Sequence, residues 1–174
     1  MLYLIINQDN ASNVGGVNTK MIDKSLSNHA ATFNGVAIYS GYSFESLVAI
    51  SKEDISKFAM LLQDENPLHH DEIYANASRF GGIIASGPHI MSLFTSMVAS
   101  HFSKLCPMVG THFEFDFLLP VRSGDSLTMC WTISALDLSK LYKIPIKLNG
   151  TVGSSRGVVI KGMGEILLFP SNNS

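Results

Sequence analysis

Residues 88–102 read PHIMSLFTSMVASHF. Ile90, Leu93, Phe94, Met97, Val98, His101 and Phe102 recur at spacings of three and four, the period of one helix face. Met91 and Ala99 make much of the remaining circumference apolar or small, and residues 88 to 103 carry no Asp, Glu, Lys or Arg. A helix of that composition is expected to be buried nearly all round. Pro88 suits its first turn, where no backbone donor is needed. Such a helix requires a partner that can wrap it.

The C-terminal third supplies one. HFEFDFLL (112–119) sets Phe113, Phe115 and Phe117 on one face against Glu114 and Asp116 on the other. SLTMCWTISAL (126–136) alternates in the same way. YKIPIKLNGTV (142–152) sets Tyr142, Ile144, Ile146 and Leu148 against Lys143 and Lys147, with Pro145 marking an edge or a bulge. GSSRG (153–157) then turns the chain into VVIKGMGEILLF. Upstream, SFESLVAI (43–50) alternates as a strand, and SKED opens a helix with Ser51 as N-cap and Asp54 at its third position. Ile55, Phe58, Ala59 and Leu62 carry that helix to about residue 62, and a short helical piece follows around DEIYANAS. Residues 1–40, rich from residue 8 in Asn, Ser, Gly and Ala, are expected to be a loose extension with one strand near GVAIYS, and 41–174 one domain. The expected class is α+β, an antiparallel sheet curled around the long helix.

Composition narrows the function. The chain has 174 residues, 46% of them hydrophobic, which suits a single well-cored domain. Twelve basic against fourteen acidic residues, with no basic block, argue against a nucleic-acid partner. Two cysteines in a chain of this size read as reduced core residues of a cytoplasmic protein. MLYLII is short, lacks a basic flank and runs into NQDN, so it is not read as a signal peptide. No apolar run approaches the length that spans a bilayer.

Residues 64–71, DENPLHHD, concentrate chemistry in an otherwise sparsely charged chain. Asn-Pro is a turn signal, and a solvated turn would explain these residue types without any function. Asp64 and His69 stand five apart with Pro67 between them, a spacing that suits no single helix face but lets a turn fold both toward one point. Asn66, biased toward extended backbone by the proline, is expected to tie the turn together through its amide, by a bond to Asp64. His70 is expected to point elsewhere, and His101 to be a satisfied core histidine. His89 either lines a pocket or simply occupies the first helical turn. Neighbouring histidines rarely converge on one ion, and no distant His/Cys spacing completes a set, so no metal is expected.

Together DENPLHHDEIYA, FGGIIASGPHIMSLFTSM and FLLPVRSGDSL resemble the MaoC-like, (R)-specific enoyl-CoA hydratase family of hot-dog-fold proteins, in the same order over roughly 43 to 170. The resemblance implies the hot-dog fold, with Asp64 and His69 as the catalytic pair. It implies that Gly87, opening the long helix after Ser86, supplies a backbone N–H to the thioester oxygen. It places Thr95 where the family more often has a Ser that helps fix the site. Ser86-Gly87 replaces the common His-Gly, as in a branch with A-S-G-x-H, whose last position is His89. The implied reaction is reversible, cofactor-free hydration of a trans-2-enoyl thioester of CoA or acyl-carrier protein to the (3R)-3-hydroxyacyl thioester. A hot-dog thioesterase and a non-catalytic acyl-binding subunit are the alternatives; the intact Asp and His favour hydration. Family members join sheets edge to edge, so a homodimer or larger homo-oligomer is expected. If no metal or organic cofactor takes part, hydratase activity should survive exhaustive chelation and dialysis; a stoichiometric bound metal whose removal abolished turnover would contradict this.

Overall fold

The computed structural model describes residues 4–6, 30–140 and 142–170. Its strands are β1 (Leu4–Ile6), β2 (Ala30–Phe33), β3 (Val36–Tyr39), β4 (Ser43–Ala49), β5 (Met108–Phe117), β6 (Ser126–Leu136), β7 (Ile144–Ser154) and β8 (Gly157–Leu168). Its helices are α1 (Lys52–Leu61), α2 (Glu72–Ala77) and α3 (Gly87–Phe102), with a 3-10 turn at Pro67–His69. An antiparallel sheet runs in the order β1-β4-β6-β7-β8-β5, and β2-β3 forms a separate hairpin. The hairpin puts the strand expected near GVAIYS at Val36–Tyr39 and buries Ile38 completely in the core. Of the expected loose extension, residues 1–3 and 7–29 lie outside the described residues.

The sheet's inner face follows the alternation. Phe44, Ser46 and Val48 of β4, Leu127, Met129, Trp131 and Ile133 of β6, and Ile144, Ile146, Leu148 and Val152 of β7 are all buried. Against them α3 sets Ile90, Leu93, Phe94, Met97, Val98 and Phe102. Full burial of an aliphatic or aromatic side chain contributes roughly 1.5–3 kcal/mol, so this face, rather than helix propensity, holds α3 in place. Trp131 stacks on Phe94 with ring centroids 4.2 Å apart. The indole Nε1–H donates to the Phe94 carbonyl at 2.9 Å, so the buried ring leaves no polar atom unpaired. His101 also behaves as a core residue: it stacks on Phe44 at 4.0 Å, its Nε2 meets the Tyr42 hydroxyl at 3.2 Å, and burial pushes its pKa down to about 4.

Four local expectations need correction. Ser96, Ala99 and Ser100 form an exposed stripe on α3, so the helix is not buried all round in this chain. Its lack of charge follows from small polar residues on that stripe. Tyr142 precedes β7 and is 59% exposed, because the alternation it seemed to continue starts only at Ile144. Pro145 pairs with Leu167 inside an interior strand, not at an edge. Its carbonyl accepts from Asp137 N–H at 3.1 Å, just beyond the end of β6, so its missing donor faces a place where no ladder bond is required. Phe117 is 54% exposed, unlike Phe113 and Phe115, because β5 runs past the core there.

The depth of α3 in the sheet depends on one glycine. A Cβ on Gly150 would come within 2.5 Å of the Trp131 ring and 2.6 Å of the Phe94 ring. Gly150→Ala should therefore lower unfolding free energy by about 1–3 kcal/mol through overpacking. Urea denaturation should show this as a lower midpoint with an unchanged slope.

Candidate active site

The DENPLHH turn grows out of the end of α1. Gln63 N–H donates to the Met60 carbonyl at 3.1 Å and Asp64 N–H to the Ala59 carbonyl at 2.8 Å. This pair of bonds closes a helix through a left-handed residue, usually glycine. Here that residue is Gln63, with φ of +55°. A side chain in that conformation costs roughly 1–2 kcal/mol, strain of the kind that collects at functional turns. The reversal delivers Asp64 to the start of the turn. There its Oδ1 accepts from the Asn66 backbone N–H at 3.1 Å.

Asn66 is extended, as the following proline requires, and its Oδ1 accepts from Leu68 N–H at 3.2 Å. Its amide thus caps the 3-10 turn, and the bond to Asp64 comes from its backbone rather than its side chain. The expected side-chain bond to Asp64 is not made; the amide is instead oriented by its oxygen, which accepts from the turn's own orphan donor.

His69 is 5% exposed and its Nδ1 lies 2.8 Å from the Ile84 carbonyl. A carbonyl only accepts, so Nδ1 carries a hydrogen, and Nε2 is the nitrogen turned toward Asp64. That Nε2 stands 3.6 Å from Asp64 Oδ2. The two atoms are too far apart for a direct hydrogen bond and close enough for one water, set to the side, to bridge them. Ile84 N–H also donates to the Leu68 carbonyl at 3.1 Å, which locks the turn to the segment leading into α3. His70, by contrast, is exposed.

Segment 83–86 carries the second half of the site. Ala85 N–H donates to the Val121 carbonyl at 2.8 Å and Ser123 N–H to the Ile83 carbonyl at 3.1 Å. The connection from β5 to β6, which must cross the end of the sheet, is itself pinned. Arg156 donates to both Asp125 oxygens at 2.8 and 2.6 Å, and to the Pro120 carbonyl at 2.8 Å. Ser86 caps α3, its Oγ accepting from His89 N–H at 3.4 Å. Gly87 opens the helix, and a Cβ there would lie 3.2 Å from the Phe117 ring. The first N–H groups of a helix have no intrahelical partners and meet the positive end of its dipole.

A cavity of about 320 Å³ opens at this helix start, lined among others by Arg79, Ile84, Ser86, Gly87, Ile90 and Phe117. Asp64 and His69 do not line it themselves; His69 is tied to its wall through the Ile84 carbonyl. Thr95 stands eight residues beyond Gly87, about 12 Å along the helix at 1.5 Å per residue. Its hydroxyl donates back to the Met91 carbonyl at 2.9 Å, and it lines a second cavity with Met108 and Phe113. The structure thus groups Asp64, Asn66 and His69, joins them through Ile84 to the segment that carries Ser86 and Gly87, and leaves Thr95 further along the helix. Among the described residues no cluster of His, Cys, Asp and Glu could hold a metal ion.

Two contributors had no readable signal in the sequence. The Ile84 carbonyl fixes a hydrogen on His69 Nδ1, yet a backbone carbonyl does not depend on its side chain. Gln63 supplies the left-handed step, where only a glycine or asparagine would have marked it.

Comparison with known proteins identifies the family. The MaoC like domain family matches residues 34–143. An (R)-specific enoyl-CoA hydratase of Rhodospirillum rubrum is 30% identical over 134 residues, 75% of this chain and 88% of that protein. The structure of an (R)-hydratase from A. caviae involved in PHA biosynthesis is similar with a TM-score of 0.67 at 23% identity, over 76% of this chain and 98% of the other. A MaoC-like dehydratase from Rhodospirillum rubrum gives a TM-score of 0.65 at 24% identity, over 81% and 99%. With Asp64, His69 and Gly87 inside the matched span, and a long helix held in an antiparallel sheet, the chain belongs to the MaoC-like family of hot-dog-fold proteins.

Proposed function

We propose that this protein is a hydro-lyase that adds water reversibly across a trans-2-enoyl thioester, giving the (3R)-3-hydroxyacyl thioester. The observation that carries this reading is the juxtaposition of His69 Nε2 and Asp64 Oδ2, 3.6 Å apart. A water donating one hydrogen bond to each has its lone pairs free to attack C3 of the enoyl group. As the C3–O bond forms, one water proton passes to this pair and a proton is delivered to C2, so the sum is one water added. Charge developing on the thioester oxygen is stabilised by the Gly87 N–H and the start of α3. Ser86 keeps that helix start in place. The (R) outcome rests on the name of the Rhodospirillum rubrum relative. The thioester would be carried by CoA or acyl-carrier protein.

The same reading includes a second copy of the chain. Strand β5 is one edge of the sheet, ten residues long, and Phe117 at its end and Leu118 and Leu119 just beyond are 54%, 49% and 40% exposed. A long edge with exposed aromatic and aliphatic side chains is a pairing surface. The chain is accordingly proposed to be at least a homodimer, and a strictly monomeric species by light scattering at micromolar concentration would contradict it.

The reaction is tested by following loss of enoyl absorbance with crotonyl, octenoyl and branched enoyl thioesters. Asp64→Asn keeps size and turn geometry but removes the base, and His69→Ala removes the second partner of the water. Each should lower kcat by roughly 10²–10⁴-fold, the usual range for positioned acid–base groups. The double variant should be scarcely worse than either single, since both act on one water. His70→Ala should cost far less. Full activity of Asp64→Asn would refute the mechanism, and equal loss of stability in all variants would mean that the turn is only structural.

A further inference from the structure

His89 has no role in the site as described, yet its N–H is held by Ser86 and its ring packs on the helix that leads into the Asp64 turn. It is 4% exposed and sits in the first turn of α3, two residues after Gly87. Its ring lies parallel to that of Phe58, with centroids 4.5 Å apart and planes 10° apart. Phe58 is on α1, six residues before Asp64 and within the same turn of helix as Ala59, whose carbonyl receives the Asp64 N–H. Two ends of the site therefore meet through one pair of rings. The titratable groups that act on His89 are Asp54 of α1 and His69 of the turn. Its Nδ1 has no hydrogen-bond partner.

We propose that His89 is a positioning residue, whose ring, stacked on Phe58, holds the end of α1 against the start of α3 and so sets the separation of the Asp64–His69 pair from the Gly87 N–H. The hydration reading requires this separation to be tight, because the water and the oxyanion donor act on atoms of one small substrate; the inference rests on that reading. A misplacement of 1 Å remote from the chemistry can cost about 10²-fold in rate. The Gln63 turn makes the geometry sensitive: a left-handed non-glycine residue persists only where its surroundings over-determine it. The stack over-determines it from the α3 side.

Physical chemistry also dictates how His89 must be charged. Burial holds its pKa below the ordinary histidine value; Asp54 pulls the other way, and His69 adds to the lowering. A proton on His89 would repel a proton on His69, the group that must carry one in the reaction. A ring that stays neutral lets His69 work. On this view the nitrogen atoms of His89 are dispensable and its planar ring is not.

That distinction sets the experiment. His89→Phe, His89→Ala and Phe58→Ala are compared in the hydration of crotonyl-CoA, with kcat and KM taken per folded molecule. Expected is a kcat for His89→Phe close to that of the wild type, with equal or higher thermal stability because the unpartnered Nδ1 is gone. His89→Ala and Phe58→Ala should each lose about 10–100-fold in kcat with little change in KM, and the double variant should lose no more than either. His69 is titrated in parallel by imidazole NMR, which needs no turnover. Its titration should be the same in His89→Phe as in the wild type and altered in His89→Ala. A His89→Phe variant as poor as His89→Ala would overturn the inference, as would full kcat per folded molecule in His89→Ala. A wild-type protein inactive on every enoyl thioester would instead reject hydration, and the NMR comparison would still decide whether the ring holds the site together.

Discussion

The contact between Trp131 and Phe94 sets where everything else can lie. An indole buried at the centre of the sheet must find an acceptor, and it finds the Phe94 carbonyl in the middle of α3. That bond, with the stacked rings, fixes the helix along its axis as well as in depth. Apolar contacts alone are non-directional and would let a helix slide. A shift of α3 along its axis would carry Gly87 and its cap away from the turn at Asp64. The glycines at 150, 162 and 164 belong to the same constraint: each leaves room for the aromatic rings of α3, β5 and β6.

Topology then brings the site together. Strand β5 is at one edge and β6 is third from the other, so the connection between them has to cross the end of the sheet. It crosses where α3 begins. On the way it bonds to Val159 of β8, to Ala85 and to Ile50, and Arg156 pins it through Asp125. The segment before α3 is caught between this connection and the DENPLHH turn. Its two faces hold different things: Ala85 N–H binds Val121, while Ile84 binds Leu68 and His69. The Asp64–His69 pair is therefore held by backbone groups fixed by a long-range crossing. His69 is oriented by a carbonyl fifteen residues away in sequence.

Charge plays a small part in this arrangement. His101 and His89 are both buried and both shifted toward the neutral form by desolvation. They differ in their surroundings. His101 has the Tyr42 hydroxyl as a partner and faces the core at the far end of α3, whereas His89 has an unbonded nitrogen and the two site elements on either side. The same residue type in the same helix can thus be plain core at one end and part of the working geometry at the other.

Much of this was legible before folding. Periods of 3.6 and 2 are local properties of the chain, so the charge-free helix, the alternating strands and the Ser51 cap could be read from residues a few positions apart. The Asp-Asn-Pro-His spacing marked the turn for the same reason. Other features were not legible, because they are set by groups distant in sequence. Nothing near Pro145 says that β6 stops at Leu136 beside it, and nothing in α3 says which of its small residues stay exposed. The sequence by itself determined the elements, the chemistry available and the residues able to carry it. Only the tertiary structure decided that Nδ1 of His69 carries a hydrogen, that Thr95 turns its hydroxyl back on its own helix, and that His89 meets Phe58. Each of these depends on a backbone carbonyl or a ring brought close by packing, and side-chain periodicity contains no record of either.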